Sequence, residues 1–265
     1  MSFPRAMSTP EIITSAIARP RARVRTLRPT VVGDSRRGRV LDVALVLLAL
    51  PLILPLCLLT GLAIFLDSPG GVLYRSRRVG KDGVPFDMLK FRKMRHAATG
   101  PPLTMRDDER FTPVGTFLAT TKLDELPQLW NVLRGQMRLV GPRPELPGFV
   151  AQHADAYEEI LTVTPGITGP AAVRYASEAH LLSQQRDPLT YYREQLMPEK
   201  LAIDAAYVRS HSIAGDLRII ARTLLVPGSR LGHNMTRGIR RHRAHAAVLS
   251  TSFLLIAALL VTTTV

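Results

Sequence analysis

VLDVALVLLALPLILPLCLLTGLAIFL, residues 40–66, is an apolar run in which Asp42 is the only charged residue. The run is longer than the roughly 20 residues that a helix needs to span a bilayer. Pro51 and Pro55 lie at its centre, and a proline inside a helix breaks or kinks it. Each half, at about 1.5 Å per residue, reaches only the middle of a hydrocarbon layer about 30 Å thick. The run therefore favours a re-entrant helix that enters the membrane, bends at the prolines and returns.

The charges around the run favour the same interpretation. Arginines flank it on both sides: Arg36, Arg37 and Arg39 before it, and Arg75, Arg77 and Arg78 after it. A spanning segment carries its excess of basic residues on the cytoplasmic side, so symmetric flanks indicate that both ends lie on one side. The backbone carbonyls freed at the bend need hydrogen-bond partners. A kinked span and a buried helix of a soluble core are therefore kept as alternatives.

The rest of the chain divides by composition. Residues 1–39 are rich in arginine and proline and are predicted to be a basic disordered arm, which anionic lipid would attract. Residues 67–229 are predicted to form a compact cytosolic catalytic domain, followed by a basic linker at 230–245. The second apolar run, residues 246–265, is long enough to span a membrane, with an interfacial tail as the alternative.

Short elements are expected within residues 67–229. Gly71–Arg78 and Val84–Phe91 are typical of two strands around the turn Gly80–Gly83, which predicts a β-hairpin. Thr116–Leu133 is predicted to be one helix, and one or two helices are predicted within Asp187–Ser210. The fold class is therefore α+β and mainly helical, with a re-entrant membrane helix hairpin, a short β-hairpin and a compact cytosolic catalytic domain.

The overall composition limits the classes of partner. The net charge of +14 fits either nucleic acid or an anionic membrane surface with phosphorylated substrates. Aromatic residues make up only 6% of the chain, and the sequence has no helix-turn-helix, zinc or stacking motif, which argues against nucleic acid. The single cysteine, Cys57, excludes a disulfide framework within one chain.

The block KLDELPQLWNVLRGQMRLVGPRP, residues 122–144, carries the chemistry. Asp124 and Glu125 precede Pro127, a residue best tolerated in the first turn of a helix, and the start of a helix attracts phosphate. Two acids would repel phosphate unless a divalent cation intervenes, and Mg²⁺ held by one or two carboxylates and substrate phosphates is the usual solution. Taken alone, such a pair is more often a helix cap.

Three basic residues are candidate phosphate ligands. Arg143 lies in a rigid turn between two prolines, and its planar guanidinium suits phosphate oxygens. Lys90 and Arg92 flank Phe91 at the end of the second predicted strand, so strand alternation points both to one face. A surface turn for Arg143 and a solvated strand face for Lys90 and Arg92 are the alternative interpretations.

Six segments follow the proline-broken run in this order: LDSPG, RVG, KFRKM, LDELPQLWNVLRG, LVGPRPE and TPGITG. In this arrangement the chain resembles the monotopic bacterial sugar transferases, also called polyprenyl-phosphate hexose-1-phosphate transferases, over roughly residues 39–225. The resemblance implies that Asp124 is a nucleophile that attacks the β-phosphate of a UDP-sugar, releases UMP and forms a phosphosugar–aspartyl intermediate. Polyprenyl phosphate then takes the phosphosugar in a ping-pong sequence.

The same resemblance implies the remaining roles in the site. Glu125 would help Asp124 to hold Mg²⁺. Lys90 and Arg143 would bind substrate phosphate, and we assign Arg92 to the same group. The partners would be a UDP-sugar, polyprenyl phosphate and membrane lipid, without nucleic acid, and a homodimer stays open.

The resemblance also concerns the membrane. Pro55 matches the proline that breaks the re-entrant helix of the family, and Pro51 would share that role. The catalytic domain would then lie on the cytoplasmic face of the bacterial inner membrane.

Several positions depart from the family pattern. Ala119 and Thr120 stand where members often carry arginine, so a phosphate contact is missing or comes from Lys122 or Arg110. Lys93 stands where threonine is common. A non-catalytic scaffold is therefore a further alternative, although the carboxylate pair and its implied cations are retained.

Two more departures lie beside these. Arg138 stands where serine usually precedes LVGPRP, and Glu178–Pro198 is a longer insert that we expect to influence the choice of sugar.

Overall fold

A computed structural model describes residues 36–106 and 108–225. Residues 1–35 of the predicted arm, the linker at 230–245 and the apolar run at 246–265 lie outside these residues. Helices dominate the described part, accompanied by two short two-stranded sheets. The prediction of a mainly helical fold with a short hairpin is therefore confirmed.

Helix α1, Arg36–Asp67, contains the first apolar run. It begins four residues before the predicted boundary, so residues 36–39 belong to the helix rather than to the arm. It is the one helix among the described residues that is long and apolar enough to cross a membrane. The chain remains helical through Pro51 and Pro55, so the structure does not show two half-helices separated by a turn.

Both ends of α1 pack against the rest of the protein. Near the start, Val46 is buried in a cluster with Met88 and Met137. Near the end, Ile64 is buried against Phe91 and other apolar side chains. The middle is exposed: the exposed fractions of Leu48, Leu52 and Leu58 are 79%, 66% and 67%. A long exposed apolar surface of this kind is typical of a site that contacts lipid or another apolar partner.

The predicted β-hairpin is confirmed. Strands β1, Leu73–Val79, and β2, Pro85–Phe91, are antiparallel, with Leu73 opposite Phe91 and Val79 opposite Pro85. A 3₁₀ turn at Lys81–Gly83 connects them.

The predicted helix Thr116–Leu133 is wrong as a single element. The chain forms helix α2 at Pro113–Thr121, a 3₁₀ turn at Leu123–Glu125 and helix α3 at Gln128–Leu133. Lys122 separates α2 from the turn because its φ of 64° lies in the left-handed region, which an α-helix of L-residues does not continue through.

A parallel strand pair that the sequence did not indicate lies next to this region. Strand β3, Arg138–Val140, pairs with β4, Gly166–Thr168. The helices α4, Pro147–Gln152, and α5, Ala154–Ile160, connect the two strands. A Cβ atom on Gly166 would lie 2.1 Å from the backbone nitrogen of Gly141, so TPGITG packs against the backbone of LVGPRP.

The remaining elements are helical. They are α6, Pro170–Arg174; α7, Glu178–Ser183; α8, Pro188–Tyr191; a π-helical turn, Tyr192–Leu196; α9, Met197–Ser210; and a helix α10 over residues 213–225, up to the limit of the described chain. Asp187 caps α8, as Oδ1 accepts hydrogen bonds from two backbone N–H groups. Leu182, Tyr192 and Leu196 join a buried cluster with Phe149, so the predicted insert is part of the core.

A buried ion cluster joins α1, β3 and α10. Arg138 Nε lies 2.7 Å from Asp42 Oδ2, and Arg138 Nη2 lies 3.6 Å from Asp216 Oδ2. Tyr207 donates a hydrogen bond of 2.7 Å to Asp216 Oδ1. Asp42, the one charge in the apolar run, is therefore neutralised by the arginine that departs from the family pattern.

Replacing Arg138 by serine, the residue usual in the family, is expected to destabilise the protein by about 3–5 kcal/mol, because it leaves the buried carboxylate of Asp42 without its cation. Thermal unfolding of the detergent-solubilised chain measures the effect. Arg77→Ser is the control: Arg77 pairs with Asp87 on the exposed hairpin surface, and we expect a change within about 0.5 kcal/mol. Equal destabilisation by the two variants would contradict the importance of the cluster.

Candidate active site

The 3₁₀ turn at Leu123–Glu125 directs the two candidate carboxylates to different cations. Successive residues of a 3₁₀ helix are rotated by about a third of a turn, so adjacent side chains point apart. Asp124 forms an ion pair with Lys93, and Glu125 forms one with Arg143. The left-handed residue Lys122 sets the start of this turn.

Asp124 is the more buried of the two acids, with an exposed fraction of 1%. Lys93 Nζ lies 3.0 Å from Asp124 Oδ2. Neither carboxylate oxygen has a hydrogen-bond partner among the described residues, so the contact with Lys93 is an ion pair. Burial of a carboxylate is tolerated when a cation compensates its charge.

Glu125 and Arg143 form a two-point contact. Arg143 Nη1 donates to Glu125 Oε2 over 3.2 Å, and Nη2 donates to Oε1. Burial would raise the pKa of Glu125, but Arg143 and Lys90 together hold that pKa well below its usual range. Glu125 is therefore ionised throughout the neutral pH range.

Lys90 belongs to the same charge cluster. Burial and the positive charge of Arg143 lower the pKa of Lys90 to about 7, while Glu125 acts in the opposite direction. A phosphate bound next to this amine would raise its pKa again, because a nearby anion favours the charged form.

The turn that carries Arg143 is held by its neighbours on both sides. Arg143 Nη1 donates to the carbonyl of Ile167 over 2.9 Å, which attaches the side chain to β4. Glu145 accepts hydrogen bonds from Arg78 and from the hydroxyl of Tyr192. The guanidinium is therefore positioned before any ligand binds, which reduces the entropy lost on binding.

Two arginines have other partners than those we predicted. Arg92 donates to the carbonyls of Ser68, Pro69 and Gly71, so it ties the end of α1 to the hairpin, and a phosphate-binding role for it stays an untested prediction. Arg110 donates to Asp108 and to two carbonyls of the preceding loop, so it does not replace the missing family arginines.

Of Lys122 and Arg110, the two residues predicted to replace the missing family arginines, Lys122 is the better candidate. Its charge contributes to the lowered pKa of Glu125, which places it near that carboxylate.

Three residues of this region were missed by sequence reasoning. Lys93 was noted only as a departure. Asn131 is buried. Its Oδ1 accepts a hydrogen bond from the backbone N–H of Leu89 and its Nδ2 donates one to the carbonyl of Asp87, both over 2.9 Å. These two bonds connect α3 to β2. Gln128 is fully buried, and neither polar atom of its side chain has a partner among the described residues. The sequence signal for all three is their position within or beside KFRKM and LDELPQLWN.

The site was tested for a fit to Mg²⁺. No group of three or more histidine, cysteine, aspartate or glutamate side chains clusters in residues 36–106 and 108–225. Mg²⁺ in phosphate-transfer sites needs only one or two carboxylates, with water and substrate phosphates as the other ligands. Each Glu125 oxygen retains a second lone pair beyond its bond to Arg143, whereas Asp124 is directed to Lys93. Joint binding of Mg²⁺ by the two residues stays a prediction.

Comparison with known proteins adds an independent observation. The sequence model of a family described as bacterial sugar transferase matches residues 34–229. A UDP-glucose:undecaprenyl-phosphate glucose-1-phosphate transferase of Caulobacter vibrioides is 39% identical over 214 residues, which cover 77% of this chain and 76% of the relative.

Two other relatives differ in size or in the sugar for which they are named. A transferase of Escherichia coli with the same name is 36% identical over 69% of this chain, and the match spans 38% of its own length. A putative undecaprenyl-phosphate N-acetylgalactosaminyl 1-phosphate transferase of Bacillus subtilis is 38% identical over 53% of this chain and 78% of its own length.

The network at Glu145 predicts a pH dependence of stability. Burial raises the pKa of Glu145, but Arg78 and Lys200 outweigh it and lower the pKa from 4.5 to about 2. A carboxyl with a depressed pKa stabilises the fold above its unfolded pKa, and this stability is lost as the pH falls through the folded pKa.

Glu145→Gln should therefore lower the free energy of unfolding by about 3 kcal/mol at neutral pH, with little difference from the parent near pH 2. Unfolding measured between pH 7 and pH 2 checks this. A variant whose deficit is constant over that range would contradict the linkage.

Proposed function

Because the chain belongs to the bacterial sugar transferase family, we propose that it moves a sugar-1-phosphate from a UDP-sugar to undecaprenyl phosphate. This reaction would initiate the synthesis of an exopolysaccharide or another glycoconjugate. The names of its relatives support both the donor class and the acceptor. The observation that carries the proposal is the buried carboxylate of Asp124, which forms an ion pair with Lys93 and has no hydrogen-bond partner on either oxygen among the described residues.

The reaction has two displacement steps. Asp124 Oδ1 attacks the β-phosphorus of the UDP-sugar; the new O–P bond forms as the bond between the two phosphates breaks, and UMP leaves with that electron pair. Undecaprenyl phosphate then attacks the same phosphorus, and Asp124 leaves as a carboxylate. Nucleophile and acceptor are both already anionic, so the chemistry needs positioned cations more than a general base.

The protein supplies those cations from several elements. Lys90 comes from the end of β2, and Arg143 comes from the turn after β3. We assign both to the substrate phosphates because both are held close to Glu125 in a half-buried cluster. Asp124 and Glu125 would hold Mg²⁺, which when bound neutralises phosphate charge. The three positive centres would balance the charge that accumulates at the transferring phosphoryl group.

The membrane position of the site follows from α1. We propose that α1 is a re-entrant helix bent at Pro51 and Pro55, with the body of the protein on the cytoplasmic face of the inner membrane. The support is that both ends of α1 pack against one body through Val46 and Ile64. A straight span would carry its two ends to opposite sides of the bilayer. The acceptor lipid would then meet the site at the membrane surface.

Asp124→Asn should abolish UMP release from UDP-sugars, because the amide oxygen is too weak a nucleophile to form the phosphosugar adduct. UMP release is measured with membranes that contain the full chain, a panel of UDP-sugars and undecaprenyl phosphate. Adduct formation is followed by mass spectrometry of the intact chain.

Asp87→Asn is the matched control, since it removes an exposed carboxylate of the hairpin and should retain activity. Full turnover by the Asp124 variant would exclude Asp124 as the nucleophile.

The topology has its own test in a Cys57→Ser background. Arg37→Cys and Ser68→Cys place one thiol at each end of α1. A re-entrant helix predicts that an impermeant maleimide labels both from the cytoplasmic side of inverted vesicles and neither from the opposite side. Labelling of residue 68 from the periplasmic side would establish a spanning helix.

A further inference from the structure

We propose that Lys93 is a catalytic residue of this transferase: its ammonium group binds the nucleophilic carboxylate of Asp124 and stabilises it in both displacement steps. The inference rests on the proposed function, and it adds a residue to which the family resemblance gives no role. It also supplies a positive charge in a site that lacks the arginines often found at positions 119 and 120.

The geometry pairs the ammonium with one specific oxygen. Lys93 Nζ lies 3.0 Å from Asp124 Oδ2, and neither carboxylate oxygen has a hydrogen-bond partner among the described residues. Asp124 is 1% exposed, so its charge interacts with Lys93 in surroundings where water screens little. Because the ammonium lies next to Oδ2, we assign Oδ1 to the attack on the substrate.

The backbone of Lys93 is held by the start of α2. Its carbonyl accepts a hydrogen bond of 3.1 Å from the backbone N–H of Thr112. A Cβ atom on Gly115 would lie 1.8 Å from the same carbonyl oxygen, so α2 approaches residue 93 as closely as a glycine permits. The ring centroid of Phe111 lies 5.7 Å from Nζ, within the range of a cation–π contact. These contacts position the ammonium in advance.

The first step requires an anion to attack another anion. A free carboxylate would be repelled by the diphosphate of the UDP-sugar, and the ammonium at Oδ2 reduces that repulsion. When Oδ1 forms its bond to phosphorus, Oδ2 becomes the carbonyl oxygen of an acyl phosphate. The ammonium then donates to that carbonyl.

The second step reverses the charge change at Asp124. Undecaprenyl phosphate forms a bond to phosphorus, the bond from phosphorus to Oδ1 breaks, and the electron pair returns to the carboxylate. Negative charge develops again on both oxygens of Asp124, one of which lies 3.0 Å from the ammonium of Lys93. The ammonium therefore stabilises the leaving group, and no proton has to move in either step.

Lys93 has no counterpart among the other cations of the site. The positive charges of Arg143, Lys90 and Lys122 lower the pKa of Glu125. Within the described residues, the ion pair of Asp124 is formed with Lys93. Ala119 and Thr120 on the last turn of α2 contribute no charge. Removal of Lys93 would thus remove the direct cation partner of the nucleophile.

The test measures the two steps separately on the full chain in membranes. Single-turnover release of UMP from UDP-glucose, or from whichever UDP-sugar the parent chain accepts, gives the rate constant of the first step without acceptor. Addition of undecaprenyl phosphate to the preformed adduct gives the rate constant of the second. Lys93→Met, which keeps the length of the side chain without its charge, should lower both rate constants by about 10- to 100-fold.

Two comparisons separate catalysis from folding. A folding defect lowers the amplitude of the UMP burst, whereas loss of a catalytic cation lowers its rate constant. Lys93→Arg retains the charge and should recover most of both rate constants. Lys81→Met, in the hairpin turn, is the matched control and should leave both unchanged.

Parent rate constants in Lys93→Met, or a loss of amplitude alone, would overturn the role of Lys93. Absence of UMP release by the parent chain with every UDP-sugar would instead overturn the proposed function, and with it this inference.

Discussion

The guanidinium of Arg138 is the point on which the arrangement of the protein depends. It lies between two buried carboxylates, Asp42 of the membrane helix and Asp216 of α10. Removing such charges from water is unfavourable unless each finds a partner, so the cluster defines how these elements meet. Strand β3, which begins at Arg138, leads directly into the turn that carries Arg143. The same strand therefore connects the apolar helix α1 to the turn that we propose binds phosphate.

The candidate site follows a similar rule of paired charges. Each adjacent acid has its own cation: Lys93 for Asp124 and Arg143 for Glu125. The pairing compensates the charges of two neighbouring carboxylates, and neither oxygen of Asp124 has a hydrogen-bond partner among the described residues. Preorganised charges of this kind suit phosphoryl transfer, in which positions and electrostatics matter more than acid–base groups.

Much of the local structure could be predicted, and the errors have clear causes. The hairpin was recognised because two short strand-like segments are joined by a turn with two glycines. The break at Lys122 was missed because nothing in a lysine side chain signals a φ of 64°. The pair of β3 and β4 was missed because three-residue parallel strands distant in sequence leave no periodic pattern. Arg92 was predicted to bind phosphate because it shares a strand face with Lys90, whereas its partners are backbone carbonyls at the end of α1.

The sequence by itself determined the apolar, proline-containing membrane helix, the mainly helical class, the family, and Asp124 and Glu125 as the candidate acids with Lys90 and Arg143 near them. Composition, local turn residues and ordered motifs carry that information because each depends on neighbours in the chain. Only the tertiary structure decided which cation faces which acid, why Asp42 is tolerated in an apolar run, and that Lys93 meets Asp124. Those outcomes depend on contacts between residues far apart in sequence, whose partners are chosen by burial and charge compensation in the folded state.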